Sequence, residues 1–127
     1  MSKGYSKNQR IEIFNKYNGR CAYCGCILKN NHCTIDHIKP RHRGYLDDEL
    51  SRMNIVRGDH KIENLNPCCS SCNSSKSTLT IEKWRIEIEK KHDRLLKYES
   101  SYNLLTRFKM VKRVKSKCIF YFEKVKL

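Results

Sequence analysis

Apolar positions in this chain come in short bursts, each with its own period. In the first twenty residues Ile11, Phe14 and Tyr17 share one helical face, with Ile13 beside them. Ser6 is placed to cap that helix, which the pattern predicts over residues 7–17, and Asn18-Gly19 ends it. Cys33-Thr34-Ile35 reads as a short strand running into Asp36-His37-Ile38, and Pro40 breaks any continuation. Residues 41–63 are polar and irregular, apart from one helical turn over residues 47–53. A second helix begins near Thr80, with Glu82 in its first turn and Ile81, Trp84 and Ile88 at helical spacing, and is expected to end near His92. Residues 93–110 are helical again by the spacing of Leu95, Leu96, Leu104, Leu105 and Phe108. The segment 117–125, rich in aromatics and β-formers, reads as a strand.

Charge changes this picture at the two ends. The 127 residues carry 27 Lys and Arg against 13 Asp and Glu, a net +14. Residues 1–20 hold five bases and one acid, and residues 106–127 hold eight and one, whereas the middle is nearly balanced. Basic arms around a neutral centre point to a polyanion, most often nucleic acid; a solubility bias and an anionic membrane surface are the alternatives. No apolar run is long enough to span a bilayer, and the start, M-S-K-G-Y-S-K, lacks the apolar stretch of a secretory signal. A cytoplasmic protein is expected, in the host cytoplasm if a phage encodes it.

Eight cysteines in a chain without an export signal favour metal over disulfides. Cys21 and Cys24 form C-A-Y-C, and Cys69 and Cys72 form C-S-S-C, a pairing that reads as one tetrahedral zinc site. Gly25 suits the backbone twist of such a knuckle. Cys68 with Cys72 is a looser rival pairing. Cys26, Cys33 and Cys118 read as small, partly buried apolar residues, and His32 and His42 as solvated side chains or spare ligands.

Between the knuckles lie the groups that carry chemistry. The oxygens of Asp36 and Asn73 suit a hard cation such as Mg²⁺. A neutral imidazole at His37 can take a proton from water near neutral pH. Strand neighbours point to opposite faces, so Asp36 and His37 reach one phosphate only if the strand bends or ends before Pro40. Lys39, Arg41 and Arg43 follow at once, where a phosphate backbone would pass, and Lys76 stands one helical turn after Cys72. Each of these cations could equally be solvated. Trp84 reads as core beneath the metal unit.

C-A-Y-C-G, then T-I-D-H-I-K-P, then E-N-L-N-P-C-C-S-S-C-N-S-S-K resembles the zinc-knuckle HNH endonucleases, from about Arg20 to Lys76. The resemblance implies an α+β fold: a small ββα-metal core stapled by a four-cysteine zinc site, with an N-terminal helix and a C-terminal helix-plus-strand extension. It divides the chain into a basic helix (1–19), the nuclease core (20–92) and a basic extension (93–127). It implies a metal-dependent hydrolase of DNA phosphodiester bonds, with His37 as base, Asn64 bracing the loop that holds it, and Asp36 and Asn73 binding catalytic Mg²⁺ or Mn²⁺. Cys21, Cys24, Cys69 and Cys72 match the structural zinc ligands; Lys39, Arg41, Arg43 and Lys76 are the expected nucleic-acid contacts. Double-stranded DNA is the implied partner, and a second copy of the chain or a phage packaging component is a candidate. The looser likeness of the basic ends is to small phage and prophage nucleases. His37 and Asn64 are separated by 26 residues, longer than the family's usual loop, and Asn66 competes for the bracing role. The alternatives are a non-catalytic zinc-knuckle binding module and an RNA-binding zinc protein.

Overall fold

The computed structural model describes residues 4–29 and 33–125, so His32 lies outside the described residues. Helix α1 (Lys7–Asn15) is followed by the first knuckle and strand β1 (Thr34–His37). A loop carrying the short helix α2 (Asp47–Arg52) leads through a 3₁₀ turn, Ile62–Asn64, into strand β2 (Leu65–Cys68). Helix α3 (Ser70–Lys76) follows directly, then α4 (Ile81–Tyr98), α5 (Ser100–Arg107) and the single-turn α6 (Tyr121–Lys124). The strands pair antiparallel with Asp36 opposite Asn66 and His37 opposite Leu65. Together β1, β2 and α3 form the expected ββα unit. No described helix is long and apolar enough to cross a membrane.

Ser6 caps α1 by accepting from the Gln9 amide at 3.1 Å, while the Gln9 side chain accepts from the Ser6 amide at 2.8 Å. The helix buries Ile13 and the residue one turn on, Tyr17, rather than Ile11, which is exposed. Lys16 staples this helix to β2: its Nζ donates to the carbonyls of Ile62 and Leu65 and to Asn66 Oδ1. Asn66 is fully buried in that strand, so the bracing position falls to Asn64 alone.

The core is aromatic and sits against the first knuckle. Trp84 and Phe120 stack at 4.8 Å between ring centroids, and Tyr23 packs edge-on against both. Edge and stacked pairs of this kind contribute about 0.5–1.5 kcal/mol each beyond their area. Two sequence expectations are corrected here. Helix α4 does not stop near His92 but runs to Tyr98, because nothing in residues 93–98 breaks it; the chain turns extended only at Glu99 (φ −78°, ψ 108°). The strand expected over 117–125 is not formed. The chain runs extended to Phe120 and then turns into α6, held by the Glu123 carboxylate accepting from the Phe120 amide at 2.9 Å. Its backbone partners are knuckle carbonyls and not a strand: the Tyr121 and Phe122 amides donate to the carbonyls of Tyr23 and Ala22. Arg85 bridges Glu82 and Glu123 and so ties this tail to α4.

Candidate active site and four-cysteine cluster

The knuckle turn is closed by the Gly25 amide donating to the Cys21 carbonyl at 3.0 Å and the Cys21 amide donating to the Cys26 carbonyl at 2.8 Å. Gly25 sits at φ +80°, and a Cβ there would stand 2.8 Å from the Tyr121 ring, so both the turn and the docked tail require glycine. The second pair straddles the start of α3, where the Cys72 amide donates to Cys69 Sγ. These turns bring the sulfurs of Cys21, Cys24, Cys69 and Cys72 within 4.8 Å of one another. Contact with the Cys72 thiol drives Cys21 down to about 4, and the same contact holds Cys72 up. Four thiols at this spacing cannot all ionise without a cation among them, so the cluster is suited to a thiolate-bound metal such as zinc. Cys68 stands apart: it is fully buried, Thr34 Oγ1 lies 3.0 Å from its sulfur, and burial pushes it up to about 12. Among the described residues the quartet is the grouping of metal-binding side chains that forms.

Next to the cluster an open cleft of about 1040 Å³ is lined by Asp36, His37, Asn73, His60, Arg41 and Arg43, among others. Strand β1 ends at His37, and this strand end brings two adjacent residues to one cleft despite the alternation of a regular strand. Asp36 is nearly buried. The Tyr23 hydroxyl donates to its Oδ2 at 2.5 Å, and Lys76 Nζ lies 3.0 Å from the same oxygen. Burial, reinforced by the Asp36 charge, raises the Tyr23 phenol far above its usual range, so it acts here as a donor. Both bonds fall on Oδ2, which leaves Oδ1 as the oxygen that a hard cation in the cleft would use. Asn73 lines the same cleft, and a carboxylate oxygen with an amide oxygen is a donor pair of the kind that suits a hard divalent cation.

Lys76 is the clearest correction to the sequence reading. The motif spacing assigns it to the nucleic-acid surface, yet it is completely buried, paired with Asp36 and donating to the His37 carbonyl at 3.0 Å. Its place one turn after Cys72 aims it inward, beneath β1. Lys76→Ala is expected to lower stability by about 3–5 kcal/mol, because it leaves a buried carboxylate without its cation. Urea denaturation at pH 7 measures this, and a loss near zero contradicts the pairing.

His37 is half-buried. Its Nε2 lies 2.9 Å from His60 Nδ1 and 3.3 Å from the Tyr5 hydroxyl. Burial first, then the charges of His60, Arg43, Arg41 and Lys76, lowers His37 to about 4, so the ring is neutral at pH 7. The loop after it is clamped by Asn64, whose Oδ1 accepts from the Lys39 amide at 2.8 Å and whose Nδ2 donates to the carbonyls of Lys39 and Asp59. The long insert is no loose loop. Arg57 donates to the carbonyls of Arg41, His42 and Tyr45 and pairs with Asp47, and the Gly58 amide donates to the Pro40 carbonyl. A Cβ on Gly58 would stand 1.8 Å from the Lys39 carbonyl oxygen. Gly58→Ala is therefore expected to cost about 1–3 kcal/mol by forcing this crossing apart, as read from the denaturation midpoint; an unchanged midpoint contradicts the close approach.

Of the remaining expected contacts, Lys39 and Arg43 are exposed, and Arg41 is partly buried with a guanidinium nitrogen on the Gly58 carbonyl. Sequence reasoning gave no role to Tyr5, Tyr23 or His60. Tyr23 carried a faint signal, being inside C-A-Y-C; nothing marked His60, in the long stretch between His37 and Asn64, or Tyr5.

A ββα unit clamped by four cysteines, with an Asp-His pair on its cleft, is the class that fold and site define. No family model matches the chain. Over 90 residues it is 33% identical to the "SPbeta prophage-derived putative HNH endonuclease YoqL" of Bacillus subtilis (strain 168). That stretch is 68% of this chain and 36% of the relative, so the chain spans about a third of the length of the protein it matches. The likeness to HNH endonucleases read from the motifs is thus borne out by a curated relative of that name. A solved structure, the Type II-C Cas9 enzyme from Actinomyces naeslundii, aligns over 91% of this chain and 12% of its own, at TM-score 0.49 and 23% identity.

Proposed function

We propose that the chain is a metal-dependent HNH endonuclease that hydrolyses phosphodiester bonds of double-stranded DNA. The observation that supports it most is the meeting of a neutral imidazole, a carboxylate and an amide on one cleft bordered by arginines. In this reading His37 takes the proton of the attacking water. Asp36, through Oδ1, and Asn73 would hold Mg²⁺ or Mn²⁺, which when bound withdraws charge from the phosphate and steadies the leaving oxygen. Tyr23 and Lys76 keep Asp36 Oδ2 occupied and its carboxylate oriented. Asn64 holds the Lys39 peptide and with it the angle at which His37 meets the cleft. Lys39, Arg41 and Arg43 neutralise the DNA backbone, and zinc on the four cysteines clamps the first knuckle to α3.

Supercoiled plasmid incubated with the purified chain and Mg²⁺ or Mn²⁺ should be converted to nicked or linear forms, with 5′-phosphate and 3′-hydroxyl ends, and a chelator should stop it. A chain that binds duplex DNA but never cuts it supports the non-catalytic knuckle module instead. Preference for structured RNA over duplex at the same salt supports the RNA-binding reading.

A further inference from the structure

The second imidazole on the cleft has no part in the scheme above, although it touches the proposed base. His60 lies in the long insert, 23 residues after His37. Its neighbours are pinned to the very segment that follows His37: the Asp59 carbonyl accepts from Asn64 Nδ2, and Gly58 crosses Lys39 too closely for any side chain and bonds to Pro40 and Arg41. The Lys61 amide donates to Asp59 Oδ1 on the other side. The backbone on both sides of His60 is thus held, and its ring meets His37 edge to face, 5.0 Å between centroids and 69° between planes. His60 itself is exposed, so burial does not account for the contact.

Two imidazole nitrogens facing at 2.9 Å share one proton; two bare lone pairs would repel. If His60 Nδ1 carries that proton, His37 spends the lone pair of Nε2 on it and carries its own proton on Nδ1, and no basic nitrogen remains. If His37 Nε2 carries it, Nδ1 is free. We infer that His60 is a positioning residue for the base: its Nδ1 accepts a hydrogen bond from His37 Nε2–H and keeps the lone pair of His37 on Nδ1, ready for water. The contact stands on the geometry, and the direction of its hydrogen bond rests on the nuclease reading. Tyr5, 3.3 Å from the same nitrogen, takes a lesser share of that N–H.

The test reads the two separately. Long-range ¹H–¹⁵N NMR of the full zinc-loaded chain at pH 7, without DNA, should show His37 as the Nε2–H tautomer. In His60→Ala that preference should be lost. On plasmid DNA kcat should fall by about one to two orders of magnitude with KM within about twofold, the pattern of a lost orienting group. His60→Asn, whose Oδ1 reaches the place of Nδ1, should recover the tautomer and most of kcat, and it serves as the second variant if His60→Ala misfolds. A wild-type His37 protonated on Nδ1, or a tautomer that ignores both substitutions, overturns the assignment. A wild-type chain that does not cut, but whose His37 tautomer follows residue 60, defeats the nuclease reading and upholds the contact.

Discussion

Cys21→Ser is expected to unfold the protein. Cys21 is the completely buried member of the quartet, and its contact with Cys72 holds its thiol well below the usual thiol range. The apolar core around Tyr23, Trp84 and Phe120 is small, and it packs on the knuckle that Cys21 anchors. A structural zinc site contributes about 10–16 kcal/mol in small domains, as much as or more than the roughly 5–15 kcal/mol net stability of a whole domain. With zinc on the quartet as proposed, loss of one thiolate is expected to remove most of what holds the fold. Circular dichroism and metal content by mass spectrometry check this: zinc and helical signal should disappear together. Cys68→Ser is the paired control. Its sulfur faces Thr34 in the core and not the quartet, so that variant should keep its metal and lose about 1 kcal/mol of stability through poorer burial. A Cys21→Ser protein that remains folded without metal defeats the structural role, and a Cys68→Ser protein that loses metal reverses the choice of ligand.

His37→Ala is expected to abolish DNA cleavage while leaving zinc content and stability nearly intact. A positioned general base contributes about 10²–10⁴-fold, and the half-buried His37 ring makes no bond on which the core depends. This variant is cleaner than one at Asp36. Removing that carboxylate would strand the buried Lys76 ammonium and the Tyr23 hydroxyl, mixing a folding defect with a catalytic one. Plasmid conversion at fixed Mg²⁺ and salt, with thermal melts on the same samples, separates the two effects. Cleavage at the parental rate by a folded His37→Ala protein takes the base away from this residue.

The legible features were those whose chemistry is local. Each C-x-x-C pair closes one local turn, so a four-sulfur cluster was legible from spacing, and the fold set Cys69 rather than Cys68 in it. Asn64 illustrates a middle case: its motif marked it, with Asn66 two residues away as a competitor, and burial in β2 with the staple from Lys16 holds Asn66 in the interior. Ile11 illustrates a miss by periodicity. Helical spacing names a face but not its register on the neighbour: Tyr17 of the expected face is buried, but Ile13 takes the inward place that the spacing gave to Ile11.

The amino-acid order by itself determined the knuckles, the cap of α1, the break at Pro40 and the Asp-His pair at a strand end, because each depends on residues within one or two turns of chain. Tertiary structure alone decided that Lys76 is buried under Asp36 instead of facing a polyanion, that the aromatic tail turns into α6 on knuckle carbonyls rather than pairing as a strand, and that His60 comes back to meet His37. In all three the partner lies more than twenty residues away, and a side chain's burial or hydrogen bond is set by what the fold brings to it, which no local pattern of apolar and charged residues encodes.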